Sequence, residues 1–133
     1  MKRAALACLV ISAFALAAWA RDYHMTNSPS VPAAHGVVST DHDRNGNTKI
    51  HVDVDHLAPP NALTPPASAY VVWVQPSGQP PQNAGELRVN GDLHGSFRSS
   101  LPFKNFDIYV TPENDPRATA PTGPMVLKTT VQH

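Results

Sequence analysis

The chain has 133 residues, with ten Lys and Arg, ten Asp and Glu and seven His, so its formal net charge at pH 7 is zero. That length suits one domain with its own core. The absence of a basic patch argues against nucleic acid as a partner, and a single cysteine, Cys8, rules out a disulfide framework within the chain.

Residues 1 to 20 read MKRAALACLVISAFALAAWA. Lys2 and Arg3 precede an apolar run that closes on Ala18-Trp19-Ala20, the layout of a secretory signal peptide. The run is short for a membrane span, which needs about 20 residues. Leu6-Ala7-Cys8 looks like a lipobox but comes too early. The expected location is periplasmic or secreted, and a membrane enters only if this segment stays uncleaved. Without it, eight basic residues face ten acidic ones, a net charge of about −2, and no cysteine remains.

The polar stretch RDYHMTNSPSVPAAHG, residues 21 to 36, reads as a flexible lead-in. A β-sandwich domain is then expected over 37 to 133. VVSTDHD (37–43) is a β-branched start, and Lys49 to Leu57 alternates, with Ile50, Val52 and Val54 on one face and Lys49, His51, Asp53 and Asp55 on the other. LAPPNALTPPAS (57–68) holds four prolines and is a loop. AYVVWVQP (69–76) is a nearly continuous apolar run, as in a buried strand. A loop covers 76–85. ELRVNG (86–91) and DLHGSFRSSLP (92–102) flank Asn90-Gly91-Asp92, a tight-turn signal. NFDIYVTPE (105–113) alternates again, NDPRATAPTGP (114–124) is a proline-rich connection, and MVLKTTVQ (125–132) is the last strand. Seven strands separated by turns, with prolines between them, predict an all-β, immunoglobulin-like β-sandwich of about seven antiparallel strands. A small open barrel is the competing architecture. Trp73 is expected between the sheets, with Phe106, Ile108 and Val110 on the facing strand.

The stretch TDHDRNGNTKIHVDVDHL (40–57) gathers four Asp and three His. Asp41, Asp43, Asn45 and Gly46 match the opening of a calcium loop, but its twelfth position is Val52 rather than an acid. The flanks alternate with period two, so the stretch reads first as a hairpin turning at Arg44-Asn45-Gly46-Asn47. His51, Asp53 and Asp55 share one face, and His42 across the hairpin completes a candidate Zn or Cu site of His42, His51, Asp53 and Asp55. His56 points to the other face unless the strand bends. The competing reading is an ordinary polar outer face, with no cofactor.

No nucleophile elbow, phosphate loop or catalytic cysteine is present, so no enzyme activity is expected. Asp53 and Asp55 as a glycosidase pair would need a cleft, and His94-Gly95-Ser96 reads as a chance neighbourhood.

Tyr70 to Leu127 resembles the extracytoplasmic domain of anti-sigma-K factors. The resemblance lies in Tyr70 and Trp73, a glycine-containing hairpin, Thr111 and Glu113, and Pro121-Thr122-Gly123-Pro124. It covers about half of the chain after the signal segment. That family carries an anti-sigma domain and a transmembrane helix, neither of which is seen here. The resemblance implies a free-standing, sensor-like sandwich of a bacterial envelope. The loops at 57–68, 76–85 and 112–124 are the expected recognition surface for a protein or envelope partner, since loops on a rigid scaffold carry binding.

Overall fold

The computed structural model describes residues 20 to 132, so the signal-peptide reading of residues 1 to 20 lies, apart from Ala20, outside the described residues. Among the described residues no helix is long and apolar enough to cross a membrane.

Nine strands form two antiparallel sheets. They are β1 (Arg21–His24), β2 (Thr26–Asn27), β3 (His35–His42), β4 (Thr48–Asp55), β5 (Ala69–Pro76), β6 (Gln82–Leu87), β7 (Gly95–Leu101), β8 (Phe106–Glu113) and β9 (Leu127–Val131). One sheet runs β1-β3-β4-β7 and the other β2-β9-β8-β5-β6. The chain changes sheet after β1, β2, β4, β6 and β7, so β3-β4-β7 face β9-β8-β5. This is the connectivity of an immunoglobulin-like β-sandwich. Six of its seven main strands lie where the sequence predicts them, and β6 is displaced into the preceding loop.

The core follows from strand parity. Val38, Ile50, Val52 and Val54 of the smaller sheet meet Tyr70, Val72, Val74, Ile108, Val110 and Leu127 of the larger one. Each fully buried side chain of this size contributes about 1.5 to 3 kcal/mol of transfer free energy. Among the described residues every buried side-chain polar atom has a hydrogen-bond partner, as a core without disulfides requires.

Four features differ from the sequence-based expectation. The lead-in contributes two short strands. β1 pairs with β3, placing Asp22 opposite Ser39, and β2 pairs with β9, placing Thr26 opposite Lys128. These strands are too short and polar to show periodicity. Second, β6 begins at Gln82, within what reads as a loop, and ends at Leu87, four residues short of the expected end at Gly91. It is an edge strand without an apolar stripe, recruited by pairing with β5.

Third, the Asn90-Gly91-Asp92 turn does not join a hairpin. Asn90 N–H bonds the carbonyl of His94 at 2.9 Å and Val89 bridges Gly95, but β6 and β7 belong to different sheets. Local turn chemistry shapes this corner, and each strand's inward apolar residues decide its sheet.

Fourth, Trp73 is fully buried, but not between the sheets. Tyr70, Val72 and Val74 take the inward positions of β5, which sends Val71 and Trp73 outward. There they pack with Tyr109, directly opposite Trp73 on β8, and with Ala118 from the proline-rich connection. That connection folds back over the sheet as a strap. The Asn83 amide donates to the carbonyls of Pro116 and Ala118, both at 2.9 Å, and so pins the strap to β6. Phe106, Ile108 and Val110 do reach the main core, but from the strand beside Trp73 in the same sheet.

Candidate functional site

The His/Asp-rich stretch is β3, a five-residue connection and β4. Asp43 closes the turn: its Oδ1 accepts from the N–H of Asn45 at 2.8 Å and of Asn47 at 2.9 Å. Its Oδ2 accepts from the Asn47 side chain at 3.2 Å. Hydrogen bonds from the Asn47 backbone first of all hold this carboxyl below its ordinary value. Only Gly46 takes a left-handed conformation, φ 80°, so the turn centres one residue away from the expected pair of positive angles. A carboxylate committed to three local donors has few lone pairs left for calcium.

The four proposed metal ligands do not assemble. His51, Asp53 and Asp55 do share the outer face of β4. His42 does not join them. It lies opposite Thr48, which is buried, and has the strand parity of the buried Val38 and Thr40. It therefore belongs to the other side of β3. The residue of β3 that faces His51 is Ser39, three positions away. That is roughly 10 Å at strand rise.

Instead the outer face carries different partnerships. His51 Nε2 shares a hydrogen bond of 2.9 Å with Ser96 Oγ. His94, set aside in the sequence as a chance neighbour, bonds Asp53 through Nε2, which also lies 3.9 Å from Asp55 Oδ1. Among the described residues no three His, Cys, Asp or Glu groups converge as metal ligands.

A concave surface lies at one end of the sandwich. Two of the three loops expected to carry recognition, 57–68 and 112–124, converge there on a cleft of about 460 Å³. Ala62, Leu63, Pro65, Pro112, Asn114 and Val126 are among its lining residues, and no charged side chain lines it. The third loop, at 76–81, sits at the opposite end beside Asn105 and Gln132.

The cleft is preformed. On one side the 57–68 loop contains a short 3₁₀ turn, Pro60–Ala62. The loop is closed by the Ala67 N–H on the Pro60 carbonyl at 2.9 Å. The Tyr70 hydroxyl reaches from the core to the carbonyl of Ala58, and burial pushes its pKa up to about 12. On the other side the wall hangs on a buried carboxylate, Glu113. Its Oε2 accepts from the Thr111 hydroxyl at 2.6 Å and the Gly123 N–H at 3.0 Å. Thr122 adds its N–H at 3.1 Å and its hydroxyl. Trp73 Nε1 donates to Thr111 Oγ1 at 2.7 Å, extending the chain to the outer aromatic cluster. Burial raises the Glu113 pKa, but the hydrogen bonds from Thr111, Thr122 and Gly123 outweigh it and hold the carboxyl below its ordinary range.

This network joins Thr111-x-Glu113 physically to Pro121-Thr122-Gly123-Pro124. It also explains the glycine, since a Cβ at Gly123 would stand 2.1 Å from the Pro112 carbonyl oxygen. Gly123→Ala is expected to destabilise the fold by about 2 kcal/mol through forced movement of the strap. Urea denaturation checks this, and a change under about 0.5 kcal/mol would show that the strap end is loose.

Comparison with protein-family models, with characterised proteins and with solved structures found no match to this chain.

Proposed function

We propose that this protein is a secreted or periplasmic, non-enzymatic binding or sensing domain of a bacterial envelope, similar to the extracytoplasmic domain of anti-sigma factors. We further propose that it takes its partner in the proline-walled cleft at the loop end. The observation that carries this reading is the preformed cleft itself. Its size is within the about 300 to 1,000 Å³ of ordinary ligand sites. Its walls are held by Tyr70 on one side and Glu113 on the other, so little ordering entropy is lost when a partner enters. The export reading rests on the sequence of residues 1 to 20.

The test is amide chemical-shift mapping during a screen of short uncharged peptides, proline-containing ones included. Shifts should cluster on Ala62, Leu63, Asn114 and Val126, and Ala62→Arg should remove them. Shifts confined to the outer face of β4 and β7, or survival of the cleft shifts in Ala62→Arg, would remove the cleft from consideration. Divalent-cation binding is the alternative reading, and the contacts of His94 with Asp53 and Asp55 favour it on a ligand set that includes His94.

A further inference from the structure

The outer face of the smaller sheet holds a row of groups that no single strand reveals. In the β3–β4 register His35 lies directly opposite Asp55. On the other side of Asp55 stands His94, the residue before β7, with its Nε2 3.9 Å from Asp55 Oδ1 and bonded to Asp53. Three neighbouring chain segments thus set imidazole, carboxylate and imidazole side by side. A second carboxylate, Asp53, lies two residues back along β4.

Directly opposite residues of an antiparallel pair have Cβ atoms about 5 Å apart. Imidazole nitrogens and carboxylate oxygens each bind zinc at about 2 Å. An ion above Asp55 therefore lies within reach of both rings. His35 and Asp55 are exposed directly opposite one another, so the site requires side-chain rotation rather than a change of strand pairing. In the positions seen, the groups do not yet converge.

We propose that His35, Asp55 and His94, joined by Asp53, bind a late first-row divalent cation such as Zn²⁺ on this face. Two imidazoles and two carboxylates form a four-coordinate nitrogen and oxygen set of the kind zinc accepts. The ion takes the place of the proton between His94 and Asp53, because a ligating imidazole nitrogen must be free of its proton. His51, bonded to Ser96 and opposite Arg98, is not a ligand, and neither is His42 on the other side of β3.

The experiment is calorimetric titration of the purified, chelator-treated protein with ZnCl₂, with Co²⁺ absorption as the probe of coordination geometry. Wild type should bind a single Zn²⁺, and Co²⁺ should show tetrahedral bands. His35→Ala and His94→Ala should each weaken Zn²⁺ by about tenfold or more, while His42→Ala and His51→Ala leave it unchanged. Melting in chelator establishes that each variant is folded. If His94→Ala proves unstable, His35→Ala and His35→Gln decide the matter. Absence of Zn²⁺ binding at millimolar ion, unchanged affinity in His35→Ala, or loss of binding in His51→Ala would each overturn the proposal. None of these outcomes bears on the cleft, which lies among other residues.

Discussion

Trp73→Ala is expected to cost about 4 kcal/mol of folding stability, as large buried aromatics do when truncated. The size of the loss follows from where the ring sits. It is fully buried beneath the strap, against Val71, Tyr109 and Ala118, and it donates to Thr111. Truncation opens a cavity under a loop and also removes the donor that orients the Thr111 hydroxyl toward Glu113. The loss should show as a lower urea midpoint. Faster hydrogen exchange should appear at the two strap amides that bond Asp115, those of Arg117 and Ala118. A loss below about 1.5 kcal/mol would mean that the strap collapses into the space or never seals it.

Glu113→Gln should cost about 3 kcal/mol, because four donors then face a side chain with one accepting oxygen instead of two. The carboxylate accepts from two hydroxyls and two backbone amides. The glutamine amide would turn two of its own donors toward that set. The same residue makes a pH prediction. The folded pKa lies below the ordinary 4.5, so the stabilisation is complete above that value. It is lost as the pH falls through the lower folded pKa. Wild type should therefore lose stability steeply with acid below about pH 4.5, and Glu113→Gln should lose less over the same interval. Identical acid slopes for the two proteins would show that Glu113 is not the group that titrates. Trp73 and Glu113 share Thr111, so their effects should not add. A double-mutant cycle should give a coupling of about 0.5 to 3 kcal/mol.

The two substitutions also separate the parts of the cleft. Loss of Trp73 loosens the strap over the outer sheet, whereas loss of the Glu113 carboxylate frees the wall at Thr122 and Gly123 directly. Partner binding should be more sensitive to the second than the first for an equal loss of stability.

Much of the fold is legible in single stretches of sequence. Ile50, Val52 and Val54 alternate with Lys49, His51 and Asp53, and period-two alternation has one physical outcome, a strand with one dry face. AYVVWVQP marks a strand covered on both sides, and it is β5 to the residue. Prolines mark where pairing stops. These signals are local, so the sequence by itself determined six of the seven main strands and the class of the fold, whereas β6 took its bounds from pairing with β5.

What lay outside it depends on registers between distant residues. Whether Trp73 points in or out follows from parity along β5, but what covers it comes from Ala118, which lies 45 positions later. Glu113 reads as a strand end until Thr122 and Gly123 are seen wrapped around it. His35 and His94 are 59 positions apart, and only the β3–β4–β7 pairing sets them on either side of Asp55. His42, by contrast, is near His51 in sequence and on the wrong side of its strand. Local periodicity dictates each strand's faces, whereas the burial of those faces selects which strands become neighbours. The candidate sites are built from neighbours, so only the tertiary structure decided their membership.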